Sequence, residues 1–156
     1  MLCMNRITRI ARLSGYEEDF ALWSVEQAAL LRDGRFDGLD RENLAEEIES
    51  LGRSEKREIE SRLNVAIVHL LKWRFQPEKR KSGWKASILE ARRGLLRTLR
   101  ESPSLKAYPS DVVHEEYESA RMKAADETGL PEDAFPAACP FTIEQILDPG
   151  FLPDAP

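Results

Sequence analysis

The chain is poor in the residues that most often carry chemistry. It holds two cysteines, Cys3 and Cys139, and two histidines, His69 and His114, in 156 residues. Neither cysteine belongs to a CxxC pair or to a metal-ligand spacing. Two unpatterned cysteines suit a reducing cytosol rather than a secreted, disulfide-stapled scaffold. No GxSxG, P-loop, GxGxxG or HExxH occurs, so the short signatures of serine hydrolases, phosphate-cradling loops, dinucleotide sites and zinc proteases are missing. Long apolar runs are missing too. The longest, Val65 to Leu71, contains His69 and falls far short of the roughly 20 residues that a membrane span needs. The opening MLCMNRITRIARLSG has no apolar core and no small-residue cleavage site, so no secretory leader is expected. Its three arginines, with no acid before Glu17, also suit a mitochondrial presequence. The stretch is short for that role, and residues 1–15 are read as a flexible basic N-terminal arm. A cytoplasmic setting follows as an expectation.

What is present is enough for a folded core. Hydrophobic residues make up 42% and charged residues 33%, a globular rather than a disordered balance. Residues 16–156 have the size of a single helical domain. The net charge of −5 is unevenly spread: residues 1–71 carry −4, residues 72–100 carry +8 and residues 101–156 carry −9. A basic middle between acidic flanks has two readings. Either the acidic tail folds back and neutralises it, or it is a binding face for an anionic partner.

The periodicity predicts helices throughout. A first helix is expected over about 17–33, with Glu17, Glu18 and Asp19 at its positive end and Gly34 closing it. Phe20, Trp23, Gln27 and Leu31 share one face and Leu22, Val25 and Ala29 the opposite one, so packing on both sides is expected. Asp40 caps a second helix over about 41–51 with the stripe Leu44, Ile48, Leu51, and Gly52 breaks it. Ser54 opens a third over about 55–75, apolar all round its second half and therefore central; Pro77 ends it. Ser82 caps a fourth over about 83–101. Its inner face is Trp84, Ile88, Ala91, Leu95 and Leu99, and its outside carries Lys85, Arg92, Arg93, Arg97 and Arg100. A fifth covers about 109–128, stopped by Gly129. The rest is Pro-rich, with one short helix near 142–147. The fold class is all-α: a bundle of about five main helices around a buried one, with an irregular C-terminal segment.

Three places merit a chemical reading. His69 inside a bundle needs hydrogen-bond partners. A carboxylate from Asp19 or Glu47 would supply one, either as a structural tie or, with an arginine such as Arg62 or Arg74, as the centre of a small hydrolase or nuclease. The acidic run at Glu46, Glu47 and Glu49 lacks the Glu-x-x-His spacing of bundle metal sites, so no metal and no cofactor are expected. The basic stretch with Trp73, Phe75 and Trp84 would hold an anionic macromolecule, protein or nucleic acid, through Lys79, Arg80, Lys81, Lys85, Arg92 and Arg93. Both tryptophans also fit as core. Ser54 reads as a cap, and Cys139, before Pro140, has no histidine nearby in sequence to activate it.

Several segments resemble one family as a set: YEEDFALW (16–23), LDRENLAEEIESLGRSE (39–55), HLLKW (69–73), SPSL (102–105) and CPFTIEQILDPGFLP (139–153). Their order and content are similar to the bacterial "domain of unknown function 29" family. The resemblance implies an all-helical fold and a bacterial, cytoplasmic setting. It implies no reaction and so transfers no catalytic residue. Three expectations for function stand in order: a non-enzymatic module binding an anionic partner through 72–100, a small enzyme centred on His69, and a homo-oligomeric structural protein.

Overall fold

The computed structural model describes residues 12–156. Cys3 and most of the expected N-terminal arm lie outside the described residues. Among those described there are five α-helices and no strand: α1 (Phe20–Arg32), α2 (Arg41–Phe75), α3 (Ser82–Glu101), α4 (Tyr108–Thr128) and α5 (Ile143–Leu147). Single 3-10 turns at Phe36–Gly38, Pro77–Lys79, Pro103–Leu105 and Glu132–Ala134 lie between them. The chain is all-α. Its contacts divide it into two units, Met1–Leu51 and Gly52–Pro156.

In the first unit, α1 starts at Phe20 rather than Glu17. Asp19 is extended, and its carboxylate accepts from the Leu22 N–H at 2.9 Å, which satisfies one of the free donors at the helix start. The Ser14 N–H donates to Glu26 at 2.7 Å, tying the preceding residues to the helix. Trp23, Gln27 and Leu30 form the buried face. Gly34 takes a left-handed φ of 69° just beyond the helix, a conformation that glycine adopts without a Cβ penalty. The expected packing on both sides is corrected: Leu22 and Val25 stay exposed, Val25 at 66%. The unit contributes too few elements to cover a second face of α1.

The expected break at Gly52 is also corrected. One α-helix of 35 residues runs from Arg41 to Phe75. Gly52 and Ser54 are exposed on it. A glycine in an exposed turn weakens a helix by about 1 kcal/mol but keeps its backbone donor and acceptor, so the hydrogen-bond ladder continues through it. Asp40 does cap this helix, as the sequence predicts. Its carboxylate faces the Asn43 N–H and accepts from the Asn43 amide at 2.7 Å.

The second unit holds the hydrophobic core. Ile59, Leu63, Ile67, Leu70 and Leu71 of α2 pack with Ile88, Ala91 and Leu95 of α3 and with Tyr117, Ala120 and Ala124 of α4. Phe135, Phe141 and Ile146 close it from the C-terminal segment. The later turns of α2 are therefore enclosed, but not all round. Arg62, His69 and Trp73 are half-buried and Val65 is exposed, and together they mark an outward stripe. Gly129, at φ 71°, ends α4, and Thr142 with Gln145 forms a reciprocal cap on α5. No described helix is long and apolar enough to cross a membrane.

Candidate basic face

The segment 72–100 does not present its cations as one surface. Arg92 points inward and is 1% exposed. Its Nε donates to the Ile146 carbonyl at 2.6 Å, one terminal nitrogen to Phe151 at 2.8 Å and the other to Gln145 at 3.0 Å. Burial holds its pKa down, and the charge of Asp148 works the other way. A guanidinium can serve three carbonyls at once because its five donors sit in a fixed plane. Arg92 is thus a clamp for the C-terminal segment, which removes it from the expected binding set. The same three bonds refine the self-neutralising reading. At Arg92 the segment 145–151 meets α3 through backbone carbonyls.

Other cations are also used internally. The Arg80 Nε donates to the Trp73 carbonyl at 2.8 Å, and its guanidinium lies 5.0 Å from the Trp73 ring centre. Lys72 pairs with Glu127 at 2.5 Å. The ammonium of Lys72 stands 4.8 Å, and that of Lys81 5.7 Å, from the ring centre of Trp84, which is itself buried. These contacts stabilise cation and ring together, and they occupy both tryptophans that the sequence offered for base stacking.

Arg93, Arg97 and Arg100 stay exposed on the outside of α3, one row at i, i+4 and i+7. No carboxylate pairs with any of them among the described residues. Together with Arg62 of α2 they line a groove of about 250 Å³ over Gly94, with Glu90 at its rim. Arg62 is held there by Glu58, 2.8 Å from its Nε, and by Glu90 at 3.7 Å. The hydrogen bond to Glu58 raises its pKa, so the charge is permanent. Gly94 makes room for it: a Cβ at that position would stand 2.9 Å from the Arg62 Nε. Beside the arginine row, Leu89, Leu96 and Pro149 line an apolar shelf of about 130 Å³. Lys79, Lys81 and Lys85 are exposed as well. Sequence reasoning placed Arg97 and Arg100 outside the helix but not in the site. The signal that finds them is the spacing 93/97/100 with Gly94 inside it.

Several of the residues proposed for chemistry are engaged within their own unit. His69 is half-buried, and its Nδ1–H donates to the Val65 carbonyl at 2.9 Å, one turn back on its own helix. No carboxylate contacts it among the described residues. Asp19 caps α1, and Glu47 accepts from the Tyr16 hydroxyl. That hydrogen bond raises the Tyr16 pKa to about 12. The Cys139 thiol is raised by burial and donates to the Phe141 carbonyl at 3.4 Å, the reverse of an activated thiolate. Among the described residues no cluster of His, Cys, Asp and Glu could hold a metal ion.

Residues 15–152 match the model of the family described as "Domain of unknown function DUF29". The chain belongs to that family. No curated protein and no solved structure matches it. Within this DUF29 chain the matched span covers α1 to α5, and so includes the Arg92 clamp and the groove of Arg62 and Arg97.

Proposed function

We propose that the chain is a non-enzymatic helical module that binds an anionic macromolecular partner through the outer face of α3. The observation that carries this reading is the row Arg93, Arg97 and Arg100, exposed and without carboxylate partners among the described residues, beside an Arg62 fixed in place by Glu58. Exposed like charges on one helix face repel one another, so a row of them is kept at a cost to stability that an oppositely charged partner would remove. The exposed Lys79, Lys81 and Lys85 extend the same field. The dispersal of His69, Glu47 and Asp19 among local hydrogen bonds supports a binding role over a hydrolytic one.

The test is retention on immobilised heparin, a generic polyanion, as a function of salt. Arg93→Glu/Arg97→Glu should elute at markedly lower salt, with unchanged helicity by circular dichroism. Retention that ignores salt, or that the double reversal leaves untouched, overturns the reading.

A further inference from the structure

The groove over Gly94 gathers more positive charge than one carboxylate can balance. Arg62, Arg93, Arg97 and Arg100 line it. Against these four stand two carboxylates, Glu58 on the Arg62 Nε and Glu90 at the rim, so two positive charges are left over. Arg62 is also prepared for a ligand. Glu58 takes only its Nε, and the Glu90 contact, at 3.7 Å, is longer than a hydrogen bond. Both terminal nitrogens therefore keep donors to offer. A guanidinium held at one edge presents the rest of its fork in a fixed direction. Gly94 clears the space beside it, since a Cβ there would stand 2.9 Å from the Arg62 Nε.

A phosphomonoester answers these features. At neutral pH it brings a charge of about −1.5 to −2 and three strong acceptor oxygens on one centre, which several arginines can share through paired N–H donors. A side-chain carboxylate brings a single charge. A nucleic acid spreads single charges along its backbone and rests its bases on aromatic platforms, yet no aromatic residue lines the groove or the shelf beside it among the described residues. Trp84 is buried against Lys72 and Lys81, and Arg80 lies over Trp73. The groove measures about 250 Å³, below the roughly 300–1,000 Å³ of pockets that enclose whole small molecules. It suits one charged group carried on a larger partner. Arg93 lines both the groove and the shelf of Leu89, Leu96 and Pro149. A protein segment can lay an apolar side chain on that shelf next to its phosphate, and a nucleic acid has none to lay there.

We propose that the groove receives the phosphate of a phosphorylated serine or threonine on a protein partner, with an apolar residue of the same segment on the Leu89–Leu96 shelf. This rests on the reading above that the α3 face takes an anionic macromolecule, and it names the anion and the kind of chain that carries it. The mode is phosphate capture by an arginine cluster. The arginines hold the phosphate oxygens, and the leucines favour segments with an apolar neighbour.

The probe is a short fluorescein-labelled peptide bearing one phosphoserine between two leucines, read by anisotropy on the full chain. Its controls replace the phosphoserine by serine or by a pair of glutamates of equal charge. The phosphopeptide should bind at least about tenfold tighter than either control, the worth of one charge-assisted hydrogen bond. Arg62→Gln should weaken it by at least about tenfold, and Gly94→Ala, which moves Arg62 without removing it, should weaken it in the same direction. Leu96→Gln should cost this peptide more than one with glycines in place of the leucines. Circular dichroism should show unchanged helicity in each variant. Absent phosphopeptide binding, equal affinity for the glutamate pair, or binding that ignores both Arg62→Gln and Gly94→Ala overturns the proposal. A single-stranded oligonucleotide that binds tighter than the phosphopeptide at the same salt overturns it too. If heparin retention through Arg93 and Arg97 survives such a result, the phosphate site falls while the anion-binding face stands. If that retention also ignores salt and the double reversal, both fall.

Discussion

The Arg92 Nε donates to the Ile146 carbonyl at 2.6 Å from a side chain that is almost sealed from water. One helix residue thereby holds α5 and the turn after it, since the same guanidinium reaches Gln145 and Phe151. Arg92→Met should keep much of the side-chain volume but leave those carbonyls without their donors, at about 1–3 kcal/mol for each one that stays buried. The expected loss is about 3 kcal/mol in urea unfolding. Arg92→Lys should recover only part of it, because one ammonium cannot span three acceptors. Limited proteolysis of Arg92→Met should cut first within 136–153.

Gly94→Ala separates the groove from the fold. The new methyl meets the flexible end of Arg62, not backbone, so Arg62 can move aside. Helix propensity gains about 1 kcal/mol, and the half-exposed Arg62–Glu58 pair yields at most about 0.5 kcal/mol when broken. The melting temperature should hold or rise slightly while heparin retention weakens, read by calorimetry and salt elution on one preparation.

Asp40 receives donors from Asn43 and from the Trp23 indole, the latter at 3.1 Å. The Asn43 amide hydrogen bond is the main cause of its lowered pKa. A carboxyl with a lowered folded-state pKa stabilises at pH above its unfolded value, and that contribution is lost as pH falls through the folded value. Asp40→Ala should therefore lower the melting temperature by several degrees at neutral pH. The difference from the parent chain should shrink below the ordinary value of 3.8.

All three tyrosines should ionise late. Tyr16 is raised to about 12 by its hydrogen bond to Glu47, Tyr108 to about 12 by its hydrogen bond to Glu60, and Tyr117 to about 12 by burial. Their ordinary value is 10.0. A raised folded-state pKa gives stability that is complete below the unfolded value and is lost as pH climbs through the folded one. Phenolate absorbance near 295 nm should thus show the native chain less than half ionised at pH 10 and the urea-unfolded chain near half. Stability should decline between pH 10 and 12.

His69→Leu should change stability by no more than about 0.5 kcal/mol, the usual range for a surface substitution away from special features. Its one hydrogen bond is to a carbonyl of its own helix, and that carbonyl keeps its helical role. Heparin retention should be unaffected. A loss of several kcal/mol in chemical unfolding would show that the imidazole ties elements together after all.

The helices, Asp40 as a cap and Gly34 and Gly129 as stops were legible from residues because each depends on neighbours within one turn. Periods of 3.6 and local side-chain acceptors act before any tertiary contact forms. Local rules failed at Gly52, where propensity disfavours a helix but the ladder on either side carries it through. The all-apolar impression of 61–73 was close, yet which stripe of α2 would be left uncovered depended on where α3 and α4 lay. That placed Val65 and His69 outward. Arg92 and Arg93 show the division most sharply. Adjacent and alike in the sequence, they differ by about 100° around the helix. That rotation sends one into a cage of carbonyls and the other into open water. The sequence determined that a helix here would bear a heavy positive charge. Only the packing of the C-terminal segment decided which cation became structure and which stayed available, because burial is set by what covers a residue and not by what the residue is.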